Sequence, residues 1–213
     1  MALSIEAREA RRRNIIDAAH ALIRETGGAG FSMLQLARHA SVSPATPYNL
    51  LGSKSEVLRR VVEDEFASFA VRLSAEPVRA PLDRLLSAVD LVVIHYLAEP
   101  EFYRGLYAAM HGIEGNPLRE MMSAQGQALW SGMVAAAIAA GEIDAFLPAA
   151  DLTPLLLRTV AATVEGWLDE GWDDARFALE MTRGSRLLVL GLVSPERGEA
   201  LRVAITAARC SNR

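Results

Sequence analysis

Proline punctuation constrains this chain more than any other feature. The pairs Ser43-Pro44, Ala80-Pro81, Glu99-Pro100, Asn116-Pro117, Thr153-Pro154 and Ser194-Pro195 each stand at the head of a segment with helical apolar spacing. Proline suits the first turn of a helix because the N–H it lacks has no intrahelical partner there, and Ser, Thr or Asn before it can cap. Ser53-Lys54 adds a further start, and Gly27-Gly28, Gly112, Gly141 and Gly171 mark stops, where a left-handed residue is often needed. The spacing predicts helices over 11–26, 33–40, 44–50, 54–74, 82–98, 100–111, 117–140, 152–169, 173–192 and 195–209. Alternating strand patterns are nearly absent, so the expected fold class is all-α.

Composition narrows the function classes. The 213 residues are 51% hydrophobic and 23% charged, ordinary for a globular chain with a substantial core. Its apolar runs stop short of the roughly 18 residues that a membrane span needs. The opening "MALSIEAREARRR" lacks an apolar stretch ahead of a cleavage site, so a cytoplasmic protein without membrane association is expected. Cys210 is the single cysteine and is read as a bland exposed thiol. No G-x-S-x-G, H-E-x-x-H, C-x-x-C or Glu-x-x-His pairing occurs, and "GGAG" at 27–30 has no strand before it, so neither enzyme chemistry nor a cofactor or metal is expected.

Charge is unevenly spread. Residues 1–60 hold nine basic side chains against five acidic ones, a net +4, within a chain of net charge -4; the remainder therefore carries -8. A basic front on an acidic body suits a polyanionic partner for the front alone, although a solvated basic tail would show the same balance.

The first sixty residues build a specific device. Ile15, Ile16, Ala19, Leu22 and Ile23 form one apolar helix face. Ser32 and Gln35 make a capping box for a second helix, on which Leu34, Leu36, Ala37 and Ala40 are expected to face inward. A three-residue turn, Ser41-Val42-Ser43, then leads into "PATPYNLLGSKSEVL" (44–58), with Val42 positioned to plug the core. Two short helices joined by a tight turn and braced by a third form a helix-turn-helix. Prolines at its third helix fix φ at the edge that would be presented to DNA. Lys54, the chain's one lysine, opens the next helix behind a Ser53 cap, where free N–H groups and the helix dipole favour phosphate.

These residues resemble the N-terminal domain of the tetracycline-repressor-like (TetR) family of transcriptional regulators. The likeness rests on Gly30-Phe31-Ser32, Leu36-Ala37, Ala40-Ser41-Val42-Ser43, Tyr48 and Lys54 with Val57-Leu58, about 45 residues; a "GEI" turn at 141–143 and an "EGW" segment at 165–167 extend it in architecture only. Ser41 stands where the family usually has Gly, Leu51 where it has an aromatic, and Pro47 where Leu is common. An irregular or 3₁₀-like first turn is therefore expected in the third helix. The resemblance implies a DNA-binding set of Ser32, Pro44, Ala45, Thr46, Tyr48, Asn49, Lys54 and Arg12. In it Tyr48 and Lys54 grip the backbone, while Ala45, Thr46 and Asn49 face the major groove; Arg11, Arg12 and Arg13 are read as phosphate or minor-groove contacts, with a disordered tail as the alternative. Asn49 is the best base reader, since its amide can pair bidentately with adenine.

The resemblance also divides the chain into an 8–68 DNA-binding domain and a 69–213 domain for effector binding and dimerisation. His95, Tyr103, Tyr107, Met110, Gln125, Trp130, Met133 and Arg158, with Met121 and Met122, offer an adaptable lining for a small apolar or amphipathic effector. Leu156, Gly166, Gly184, Leu188 and Gly191 fit a close helix–helix seam between subunits. Ordinary core packing would use the same residue types in both sets. The implied function is an effector-released repressor that binds a pseudo-palindromic operator on double-stranded DNA as a homodimer. A helical protein-interaction adaptor without sequence-specific DNA binding is the alternative.

Overall fold

A computed structural model describes residues 4–77, 79–109, 117–144 and 147–210. Among these are ten helices and no strand: α1 (Ile5–Thr26), α2 (Met33–His39), α3 (Ala45–Leu51), α4 (Lys54–Ala75), α5 (Pro81–Ala98), α6 (Pro100–Ala108), α7 (Pro117–Ala139), α8 (Ala149–Asp169), α9 (Asp174–Leu190) and α10 (Pro195–Cys210). No helix among the described residues is long and apolar enough to cross a membrane.

Two boundaries depart from the sequence reading for physical reasons. α1 begins six residues earlier than its apolar pattern, because the Ser4 hydroxyl caps it by accepting the Ala7 N–H at 3.2 Å; residues 5–10 are all exposed and bury no apolar face, so periodicity could not reveal them. α8 begins at Ala149 rather than near Thr153, with Pro154 inside the helix. Near a helix start one missing N–H is tolerated, and the Thr153 hydroxyl bonds back to the Ala149 carbonyl at 2.7 Å.

The chain forms two compact units, residues 1–70 with 99–122 and residues 71–98 with 123–213, so α6 joins the N-terminal unit rather than the larger domain. Here Ile15, Ile23, Leu36, Val57 and Val61 are fully buried. α6 is held against α1 by His20 stacked on Phe102, ring centroids 5.4 Å apart, and by an Arg24–Glu99 ion pair. Arg24 also lies over the Phe102 ring at 5.1 Å. Leu34, expected inward on α2, is 45% exposed, because the short helix buries only Met33, Leu36 and Ala37.

The second unit centres on Leu82, Leu85, Trp167, Phe177 and Met181. Trp167 stacks on Phe177 with centroids 4.8 Å apart and donates its indole N–H to Asp174 at 3.1 Å. Asp90 of α5 receives a two-pronged ion pair from Arg186 of α9 at 2.8 and 3.0 Å. Arg197 of α10 bridges Asp83 and Glu142 at 3.3 and 2.9 Å.

Candidate nucleic-acid interface

The turn between α2 and α3 is closed by backbone geometry. Ser41 sits at φ 55, its N–H bonded to the Arg38 carbonyl at 3.1 Å, while the Val42 N–H reaches the Ala37 carbonyl at 2.9 Å. This pair of bonds is a Schellman closure with a serine at the position that favours glycine. Val42, at the position where an apolar residue usually accompanies such a closure, is half-buried.

α3 then starts tightly. The Thr46 N–H bonds to the Ser43 carbonyl at 2.9 Å, an i to i−3 bond, because Pro47 has no N–H to offer that carbonyl at i to i−4. The Ser43 and Thr46 hydroxyls also meet at 2.7 Å. Pro47 and Leu51 are buried, which turns Ala45, Tyr48 and Asn49 outward on the opposite face. Tyr48 is 55% exposed, a large aromatic side chain turned to solvent on a seven-residue helix. Pro44 is exposed too, and Ser32 spends its hydroxyl on the Gln35 N–H at 3.2 Å.

Behind α3, Ser53 caps α4 by accepting the Glu56 N–H at 3.2 Å. The Lys54 ammonium lies 5.0 Å from the centroid of the Phe31 ring, and burial lowers its pKa from the ordinary lysine value. Buried Phe31 thus fixes where the one lysine points. Arg59 and Arg60 are engaged with Glu56 and Glu63, and Arg24 with Glu99. The head's remaining cations, Arg8, Arg11, Arg13 and Arg38, are exposed. Arg12 differs: its Nε donates to the Leu50 carbonyl at 3.2 Å and one Nη to Glu9 at 3.3 Å. No sequence signal marked that long-range bond.

The expected effector set is not brought together in one unit. Tyr103 and Tyr107 belong to the N-terminal unit, where buried Tyr103 donates its hydroxyl to Glu65. His95, Gln125, Trp130, Met133 and Arg158 belong to the second. There His95 and Trp130 are buried, Gln125 and Met133 half-buried, and Arg158 exposed. Met110 lies outside the described residues. An open cleft of about 340 Å³ in the second unit, lined by Leu82, Leu86, Asp90, Arg186, Arg197 and Leu201 among others, contains none of them.

The expected seam also packs largely within the chain. Leu156 is buried, a Cβ on Gly166 would fall 2.6 Å from the Trp172 ring, and one on Gly184 would fall 2.8 Å from Thr159 Cγ2. These glycines let α8 approach the Trp172 loop and α9 of its own chain. Leu188 is half-buried and Gly191 exposed, while Leu155 (39% exposed) and Leu187 (55%) are the large apolar side chains these two helices leave in the open.

Residues 15–61 match the family described as "Bacterial regulatory proteins, tetR family". No curated protein matches the chain in sequence. Among solved structures, RolR in complex with its ligand resorcinol superimposes with a TM-score of 0.70 at 19% identity, covering 94% of this chain and 96% of that one. SmeT, the repressor of the Stenotrophomonas maltophilia multidrug efflux pump SmeDEF, gives 0.68 at 19% identity over 86% and 91%. A TetR transcription regulator from Haloarcula marismortui gives 0.70 at 13% identity over 87% and 100%. At such identities the likeness is one of fold, and it is the helix-turn-helix segment at residues 15–61 that matches the tetR family of bacterial regulatory proteins in sequence.

Proposed function

We propose that the protein is a cytoplasmic, homodimeric repressor that binds a pseudo-palindromic operator and leaves it when a small apolar or amphipathic effector binds. The observation that carries this reading is the division of α3 into a buried face, Pro47 and Leu51, and an outward face, Ala45, Tyr48 and Asn49, with the Lys54 ammonium fixed at the start of the next helix. A seven-residue helix that turns an aromatic and an amide to solvent, beside exposed arginines, suits entry into a major groove with backbone contacts on its flank.

The effector half of the reading is supported by likeness in fold to RolR, solved with resorcinol, and to SmeT, an efflux-pump repressor. In this mechanism the effector binds in the C-terminal domain and shifts α4, the helix whose residues belong to both units. The two recognition helices then leave the roughly 34–36 Å separation that successive major grooves require. The test is selection from a randomised duplex library, followed by binding of the enriched duplex at several salt concentrations. A steep fall in affinity with salt and a two-fold symmetric enriched sequence are expected. Failure to enrich any sequence would leave the adaptor reading in its place.

A further inference from the structure

Arg12 and Asn14 stand two residues apart on α1, and each donates to a backbone carbonyl at the C-terminal end of a different helix of the helix-turn-helix. Arg12 Nε bonds the Leu50 carbonyl, in the last turn of α3, at 3.2 Å. Asn14 Nδ2 bonds the carbonyl of Ala40, the C-cap of α2, at 2.8 Å. The last four carbonyls of a helix have no intrahelical partner, so both acceptors are groups that need an outside donor.

We propose that Arg12 and Asn14 are positioning residues that set the orientation of the recognition helix, and that Arg12 acts through the Leu50 carbonyl rather than as a phosphate contact. The inference rests on the DNA-binding reading above. α2 and α3 are seven residues each. Helices this short have little stability of their own, and their direction is set by what holds their ends.

At its N-terminal end α3 is fixed by the Ser43–Thr46 bonds and the buried Pro47. At its C-terminal end the following bonds, Gly52 N–H to the Tyr48 carbonyl at 2.9 Å and Ser53 N–H to the Leu51 carbonyl at 3.2 Å, are local to the chain's own turn. The Arg12 bond instead ties that end to α1, whose Ile15 is fully buried in the head core. A guanidinium also opposes the partial negative charge at a helix C-terminus. With Nε on Leu50 and one Nη on Glu9 at 3.3 Å, Arg12 presents to solvent only a part of its fork. Tilting the end of α3 moves Asn49, one residue before Leu50, at the face that reads bases. Asn14 does the same for the turn: by holding Ala40 it fixes the residue that precedes the strained Ser41.

The experiment compares Arg12→Gln, Arg12→Lys and Asn14→Ala with the unaltered full-length chain. The probes are a duplex enriched from a randomised library and a scrambled duplex of equal length, at two salt concentrations, with thermal melts to confirm folding. Positioning predicts that Arg12→Gln and Asn14→Ala each lose about tenfold or more of the preference for the enriched duplex, the scale of one disturbed base contact. Binding to the scrambled duplex and the salt slope should change little. Lysine should not rescue, because it has neither the Nε position nor the fork that holds Leu50. A phosphate contact predicts the reverse: equal loss on both duplexes, a slope lower by about 0.9 per subunit for Arg12→Gln, and recovery in Arg12→Lys. That pattern overturns the inference while leaving the DNA-binding reading intact. Absence of duplex binding by the unaltered protein overturns both. If Arg12→Gln does not fold, Arg12→Lys and Asn14→Ala decide the matter by the same criteria.

Discussion

A Cβ placed on Gly105 would fall 2.6 Å from the carbonyl carbon of Gly27, so α6 meets the end of α1 backbone to backbone. Gly27 is itself left-handed at φ 61, and neither side of the contact is a flexible side chain that could swing away. Gly105→Ala is therefore expected to destabilise the protein by about 3 kcal/mol, the upper end for overpacking, and to lower the melting temperature by several degrees. Denaturant titration of the two proteins checks this. An unchanged midpoint would show that α6 does not seat on α1 in this way.

The same junction holds a histidine that should give the protein a pH-dependent stability. His20 is stacked on Phe102, with Nδ1 3.5 Å from Glu65 and Nε2 3.9 Å from Asp64. Burial pushes its pKa below the ordinary 6.5, against the opposing pull of Glu65 and with the help of Arg24. The folded state thus binds fewer protons than the unfolded chain just below pH 6.5, and stability must fall as pH drops from there toward the lowered folded value. Above pH 6.5 the group contributes no slope. His20→Gln should flatten the melting-temperature profile between pH 7.5 and 5.5 relative to the unaltered protein. Parallel profiles would remove His20 from the account.

Dimerisation through α8 and α9 is best tested at Leu155 and Leu187 rather than at the glycines. Gly184 is committed to Thr159 of its own chain, so a bulky residue there would disturb the protomer as well as any seam. The two exposed leucines can be changed without opening the core. The double substitution Leu155→Glu with Leu187→Glu should leave a folded monomer by light scattering. It should bind the selected duplex at least about tenfold more weakly, because the two half-sites are then engaged independently. A folded double variant that remains dimeric places the seam elsewhere.

What could be read in the sequence was whatever is encoded locally. Ser32 with Gln35 forms the capping box its spacing predicts, and Pro100 and Pro117 begin helices. Ser41 does adopt positive φ, as a residue standing in a glycine position must if the turn is kept. The exception is Pro154, whose meaning depends on where the preceding turn begins, and that was fixed by Pro148 as the N-cap. Legibility ended where a side chain's partner is distant in sequence. Nothing in Gly105 announces Gly27, and nothing in Arg12 announces Leu50. Apolar residues at helical spacing do not declare which neighbour they bury against, so Leu34 was turned the wrong way. Nor does anything around Tyr103 announce that its hydroxyl donates to Glu65, 38 residues away in sequence.

Lys54 and Asn49 should fail in different ways, because one is assigned to phosphate and the other to a base edge. Phe31 holds the Lys54 ammonium at 5.0 Å from its centroid, which reduces the freedom the side chain would lose on meeting a phosphate and makes its loss felt on every sequence alike. Lys54→Ala is expected to weaken the selected and the scrambled duplex together and to lower the salt slope by about 0.9 per subunit. Asn49, exposed on the outward face of α3, should act locally: Asn49→Ala costs about 1–3 kcal/mol per half-site at one base pair, with the slope unchanged. The tight first turn bears on this assignment. The Thr46 hydroxyl is already bonded to Ser43 at 2.7 Å and keeps only part of its hydrogen-bonding capacity for a base, whereas the Asn49 amide can offer a donor and an acceptor together, as bidentate pairing with adenine requires. Single-base variants of the selected duplex, measured with both mutants at two salt concentrations, separate the roles. A Lys54→Ala protein that loses sequence preference while keeping its affinity for scrambled DNA would reverse them.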